Sequence, residues 1–469
     1  MVKKINEQSR RVFLKQASCA AIGGTTFLST LLNLRTIGAS SIFNSSAINC
    51  APYKAIVCLM FSGGNDSYNM LLPTTAAEYI AYANTRSSLA IPNQDIIPIN
   101  PGNTGSRTFG VHPSLPKVAN LFDSGKLSFV SNIGSLVAPI TKSEFYNGTV
   151  ATPLGLYSHA DQIMHWQTGI PNKRVATGWA GKISDMLNSC NSNTNISMCL
   201  SLSGSNVWQT GNESTEFSIS PNNGAASIHG DNDDWLVNST RKTALDNMLD
   251  HNYADVFQDG YKSILNTGRV GGEQLQAAID AAPVWNTPFT DNYLSNSFKM
   301  VANTISGQAT LGMDRQIFFI EYGGWDHHDE LINTQAEKFT IVDDALHEFN
   351  EAMEQLGLSD QVTVFGTSEF GRTLTSNGYG SDHGWGGNVF VMGGSVNGGN
   401  IYGDYPILDL NGELEIGGGV YIPTTSADEY FAELAMWFGV SDSELRTLFP
   451  NIGNFYSPST GNPVGFLTI

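Results

Sequence analysis

Acidic and histidine side chains stand directly after short apolar runs at separated places in the chain: Asp66, Asp326 with His328, Glu369, and Asp382 with His383. Imidazole nitrogen and carboxylate oxygen are the ligands that zinc and similar divalent ions take, and paired-metal hydrolases fill their sites with such a mixture. Glycines accompany each cluster at Gly63, Gly64, Gly323, Gly324, Gly384, Gly386 and Gly387, where the backbone can turn sharply or approach a ligand. Trp325 and Trp385 are candidates to wall the resulting pocket. For any one acid the competing reading is a helix cap in a polar loop. The recurrence of His beside acid favours a metal.

The elements that must position these residues follow from the apolar runs. Ala55 to Phe61, Gln316 to Ile320 and Val362 to Phe365 read as buried strands, each feeding one of the polar loops. In open α/β sheets the functional crevice lies outside the carboxyl ends of the strands, so residues far apart in sequence converge there. Leu127 to Val130 and Asn388 to Met392 read as further strands. Helices are expected from His112 to about Ser124, from Asn333 to Leu356 with an apolar stripe of Phe339, Val342, Leu346, Phe349, Met353 and Leu356, and from Glu429 to Leu448. His347 lies off that stripe and reads as solvated. Leu245, Met248, Leu249, Tyr253 and Val256 give a helical period to the region between Trp235 and Gln308, whereas residues 200–235 read as a loop-rich insertion with short edge strands. The alternation of runs and helical patterns predicts an α/β chain with a mainly parallel sheet.

Ser9-Arg10-Arg11-Val12-Phe13-Leu14-Lys15, followed by a weakly apolar stretch from Ala17 to Leu34, reads as a twin-arginine export signal. Gly38, Ala39 and Ser40 suit a peptidase, so residues 1–39 are expected to be removed and 40–469 to form one domain. The translocase is then a transient partner, the destination is the periplasm or beyond, and no stable membrane span remains after cleavage. The chain has a formal charge of −19, and loss of residues 1–39 leaves 18 basic and 42 acidic residues. Such acidity argues against nucleic acid as a partner. Lys142, Lys173 and Arg174 are candidates for a local basic patch. Cys58 reads as a core residue, and Cys190 with Cys199 could close a short disulfide across residues 191–198. No cysteine spacing fits a zinc motif.

Ser62-Gly63-Gly64-Asn65-Asp66-Ser67-Tyr68-Asn69, His112-Pro113-Ser114-Leu115, Ser158-His159 with Gln162 and Trp166-Gln167-Thr168-Gly169, Gly178-Trp179, Gly323-Gly324-Trp325-Asp326-His327-His328, Ser368-Glu369-Phe370-Gly371-Arg372-Thr373 and Asp382-His383-Gly384-Trp385-Gly386 occur in this order. Together they resemble the bacterial family known as domain of unknown function 1501, over nearly the whole chain after the signal. That family is similar, more distantly, to the sulfatase and alkaline phosphatase superfamily. The resemblance implies an alkaline phosphatase-like three-layer sandwich, with a mainly parallel central sheet between helices, and hydrolysis of phosphate or sulfate esters with bound metal.

It further implies Asp66 as the metal-binding acid after the first strand, Asp326 and His328 as an Asp-x-His metal pair, and His383 as the late histidine ligand. Asp382 is then a ligand or a group that orients one. Glu369 stands where the superfamily has Asp followed by His, and Phe370 replaces that His. Thr168-Gly169 matches the end of the superfamily's nucleophile helix, which places His159 at the nucleophile position and Ser158 one residue before it. Ser158 is a nucleophile or a helix N-cap, His159 a metal ligand or covalent acceptor, and Arg372 an anion clamp or half of a buried ion pair. The function expected is an exported metal-dependent hydrolase of a small-molecule or glycan ester, with zinc foremost and calcium, magnesium or manganese as alternatives. The rival expectation is a non-catalytic envelope or secreted binding protein that keeps the fold.

Overall fold

The computed structural model describes residues 50–225 and 236–469. The expected export signal and its cleavage point lie outside the described residues. Cys50–Ile469 forms one compact unit, and among the described residues no helix is long and apolar enough to cross a membrane.

A ten-stranded sheet runs through this unit in the order Ile401–Tyr402, Leu127–Gly134, Gly387–Met392, Val362–Thr367, Lys54–Ser62, Arg315–Gly323, Cys199–Ser201, Phe217–Ser220, Gly224–Ala225, with Thr425–Ser426 also paired to Leu127–Gly134. Lys54–Ser62 at the centre is parallel to both neighbours, pairing Val57 with Val364 on one side and with Phe318 on the other. Gly387–Met392 is antiparallel to both of its neighbours. The sheet is therefore mainly parallel, with one reversed strand inside it and a reversed strand at one edge.

Burial on two faces explains the unbroken apolar runs. Side chains alternate across a strand, so Ala55, Val57, Leu59 and Phe61 join one core while Ile56, Cys58 and Met60 join another. The first core is covered by helix Leu331–Leu356 through Phe339, Val342, Leu346 and Phe349, together with Pro116–Asp123 and Tyr293–Ser306. The second is covered by Trp179 of helix Trp179–Leu187 and by Phe431 and Trp437 of helix Ala427–Phe438. Helices on both faces make this a three-layer α/β sandwich.

Several expectations are corrected. The helical period read between Trp235 and Gln308 falls in separate helices: Leu236–Asp250 ends, Val256–Asp280 begins afresh where the Asp255 carboxylate accepts the Phe257 and Gln258 N–H groups, and Tyr293–Ser306 follows. Met248 and Val256 stand exposed. The last helix stops at Phe438 before Gly439, whose φ is +126°. Cys190 is bonded to Cys50, with Cα atoms 5.2 Å apart, while Cys199 is a free thiol inside the sheet. His347 is half-buried rather than solvated. Trp325 and Trp385 do not wall a pocket, because both are buried, donating to the carbonyls of Tyr322 and Ser135. They anchor their loops instead.

Candidate metal centre

The carboxyl ends of the three central strands deliver the loops that sequence reasoning marked. After Lys54–Ser62 the chain turns at Gly63, with φ +123°, and a Cβ there would lie 2.4 Å from the Asp326 nitrogen. Only glycine lets these two loops touch. The Gly63 N–H then donates to Glu369 Oε1 at 2.8 Å, tying in the third loop.

Three imidazoles and one carboxylate converge above this junction. His383 Nε2 lies 3.0 Å from His159 Nε2, 3.1 Å from His328 Nε2 and 3.2 Å from Asp326 Oδ1. Asp326 Oδ1 is also 3.0 Å from His328 Nε2, and its Oδ2 is 3.5 Å from His159 Nε2. The opposite nitrogen of each ring meets an oxygen: His159 Nδ1 is 2.8 Å from Glu369 Oε1, His328 Nδ1 is 3.1 Å from Asp382 Oδ1, and His383 Nδ1 is 2.8 Å from the Tyr157 carbonyl. A carbonyl only accepts, so His383 Nδ1 carries its proton and, in the neutral ring, Nε2 keeps a bare lone pair. That one lone pair faces three neighbours and cannot satisfy two imidazoles by ordinary hydrogen bonds. A cation held by His159, Asp326 and His383, whose ligand atoms all lie within 4.8 Å of one another, relieves this crowding, with His328 beside it. Imidazoles whose outer N–H groups are held by carboxylate or carbonyl, with inner nitrogens turned to one point, are also how proteins orient metal-binding histidines.

Neighbouring charges and hydrogen bonds also set the protonation of these groups. The Glu369 hydrogen bond raises the pKa of His159, against the opposing effect of burial. Burial alone would raise Asp326, but the hydrogen bond and charge of Arg372, with His328 and His159, hold its carboxyl below the ordinary range. The Asn377 hydrogen bond, then His328, lowers Asp382 despite partial burial.

The loop that brings in His159 is built for the task. Tyr157 adopts φ +76°, unusual for a bulky residue, and its carbonyl is the one that grips His383. Ser158 then caps helix His159–Thr168, its oxygen accepting from the Asp161 N–H, which places His159 in the first turn. Phe370 lies against both His159 and His383, with ring centroids 4.8 and 4.7 Å away. It is the aromatic wall that the tryptophans were expected to provide.

The structure thus brings together Asp326, His328, His383 and His159. Glu369, buried, and Asp382, exposed, stand one step back as hydrogen-bond partners of His159 and His328. Asp66 lies outside this cluster, fully buried and paired with Arg86 Nη2 at 2.5 Å. Arg372 is no open anion clamp: it is buried, and donates to Asp326 Oδ1 at 2.7 Å, to the Gly63 carbonyl, and to the hydroxyl and carbonyl of Ser381. Arg174 of the suggested basic patch is committed to Asp161. Sequence reasoning missed Arg86, Ser381 and the Tyr157 carbonyl. Ser381 adjoins the Asp382-His383 pair, so its position was a signal; Arg86 and a backbone carbonyl gave none.

Fold and site define a three-layer α/β protein with a histidine–carboxylate cluster at the carboxyl edge of its central parallel strands. The chain belongs to the family described as "Protein of unknown function (DUF1501)", matched over residues 53–413. Comparison with curated protein sequences finds no match. Among solved structures, likeness is found to Ps i-CgsB in complex with k-i-k-neocarrahexaose, at 14% identity and a TM-score of 0.35, covering 86% of this chain and 76% of that one. The PsFucS1 sulfatase from Pseudoalteromonas sp. matches at 10% identity and TM-score 0.36, covering 87% and 72%. The lipoteichoic acid synthase LtaP from Listeria monocytogenes matches at 9% identity and TM-score 0.29, covering 81% and 77%.

Proposed function

We propose that this protein is an exported metal-dependent hydrolase of phosphate or sulfate esters. The observation that carries the metal reading is the meeting of three imidazole Nε2 atoms and the Asp326 carboxylate, with each outer Nδ1 held by an oxygen. This donor set fits zinc, and also manganese; calcium and magnesium prefer oxygen ligands throughout. His159, His328, His383 and Asp326 would hold the ion, which supplies Lewis-acid polarisation of an ester oxygen. The ester class rests on the family resemblance. The chain's own part is to orient: Glu369 and Asp382 fix two rings, the Tyr157 carbonyl fixes the third, and Phe370 shields His159 and His383 from water on one side. Export is supported by the Arg10-Arg11 signal and by the Cys50–Cys190 bridge, a feature that persists in oxidising compartments.

One observation favours a second reading, a binding protein that holds a metal without turnover. The Ser158 oxygen is engaged as a helix cap and the Arg372 donors are spent on protein oxygens, so neither offers a free nucleophile or anion clamp. Turnover of aryl phosphate and aryl sulfate by zinc-loaded protein separates the two. The hydrolase reading expects release of phenol from at least one ester, a loss of about 100-fold or more in His159→Ala because it removes one of the groups that would hold the ion, and near-normal rates in Ser158→Ala. Metal-loaded protein that turns over neither ester is the binding protein.

A further inference from the structure

Beneath the cluster lies a buried array of alternating charge that the reaction's own residues do not require. Asp326 is gripped by Arg372 Nη1 at 2.7 Å. Arg372 Nε donates to the Ser381 hydroxyl at 3.2 Å, and that hydroxyl donates in turn to Asp66 Oδ2 at 3.4 Å. Asp66 Oδ2 accepts from Arg86 Nη2, and Arg86 Nη1 donates to the carbonyls of Thr373 and Leu374 at 3.2 and 3.3 Å. Those carbonyls follow Arg372 on the same strand, so the array closes on itself. Asp66, Arg86 and Ser381 are wholly buried. Strand Arg372–Ser376 and strand Ser381–His383 form a hairpin that also carries Asp382 and His383.

We infer that Asp66, Arg86 and Ser381 are positioning residues that set the Arg372–Asp326 pair and lock the hairpin on which His383 arrives, with Asp66 acting beneath the metal site rather than as a ligand in it. The assignment deepens the metal reading and rests on it. Burying the Arg86–Asp66 pair and the Arg372 guanidinium is costly, and a buried pair adds little net stability compared with apolar packing of the same volume. Geometry is what they secure. Arg372 has no freedom to swing toward solvent, because Gly63, Ser381 and Asp326 all accept from it. Asp326 is therefore aimed before any ion binds.

The test measures zinc affinity by competition with a chromophoric chelator on the full chain, with the metal-free melting temperature recorded for each variant. Ser381→Ala removes only the joint between the two ion pairs. It is expected to weaken zinc binding by 10- to 100-fold, the range for loss of groups that orient metal ligands, and Asp66→Asn is expected to do likewise. Thr304→Ala is the control, deleting a buried hydroxyl that bonds the Met300 carbonyl in a helix away from the cluster: it should lower the melting temperature and leave affinity unchanged. Unaltered zinc affinity in Ser381→Ala overturns the inference. Loss of zinc stoichiometry in Asp66→Asn, with Ser381→Ala normal, would return Asp66 to the ligand set. If wild-type protein binds no zinc, the metal reading fails by itself. The positioning role is then judged by hydrogen exchange at the Arg372 Nε–H, which should quicken in Ser381→Ala; unchanged exchange overturns it.

Discussion

His327 and His328 are consecutive and chemically equal, and the backbone sends them to opposite sides. His327 turns inward, 4% exposed, its ring 5.9 Å from Trp325, and burial pushes its pKa down to about 4. His328 turns outward to Asp326 and Asp382, with a side chain 44% exposed. Consecutive side chains leaving a strand alternate, so this division could be read in the sequence. Metal titration should find that His328→Ala binds zinc at least tenfold more weakly, with a small change in stability. Denaturant unfolding should find His327→Ala less stable by about 1–3 kcal/mol through the lost packing, with zinc binding kept. The reverse pattern would undo the placement of Asp326 and His328 in one site. Other residues were not legible in this way. Asp66 looks like any acid after a strand, and its partner Arg86 lies at the far end of helix Ala76–Arg86. Whether Ser158 attacks or caps is decided by where its oxygen points, which only the fold reveals.

At the scale of elements, unbroken apolar runs marked the central strands because both faces of those strands are buried, and the polar residues at their ends marked the loops. The reversal of Gly387–Met392 left no trace, since an inner strand reads as equally apolar in either direction. The disulfide was misplaced for a related reason. Cys190 and Cys199 are near in sequence, but Cys199 is fixed within a strand whose neighbours bury it, while Cys190, in the turn after helix Trp179–Leu187, faces the start of the first strand's approach at Cys50. The bridge joins residues 140 apart. A loop of that length restricts the unfolded chain strongly, and on the chain-entropy account its loss should lower unfolding free energy by roughly 2–5 kcal/mol. Denaturation of Cys50→Ala beside wild type checks this. Equal midpoints would mean that the bridge is absent or adds nothing. Because Cys50 precedes the central strand, the variant should loosen the start of that strand first, detectable as faster amide exchange near Lys54 than near Phe61.

For the whole molecule, three features bear on one question, where the protein works. The chain is acidic, with a formal charge of −19 that falls further once residues 1–39 are set aside. A bridge between Cys50 and Cys190 ties its compact unit. Its cluster of imidazoles is assembled from loops spread between His159 and His383, so the site exists only after the sheet is complete. A centre of that kind is best filled in a folded chain, and a route that carries folded proteins suits it. Arg10 and Arg11 should then be indispensable together. The stretch from Ala17 to Leu34 contains Gly23, Gly24 and several hydroxyl residues, so its apolar character alone is a weak signal. Replacing both arginines by lysine keeps the charge but removes the guanidinium pair, and should leave uncleaved precursor in the cytoplasm, seen as a larger band in fractionated cells. Lysine at one position alone should slow export less. Normal secretion of the double variant would assign the segment to the general export route, and with it the folding of the sheet and the filling of the site would have to occur after translocation.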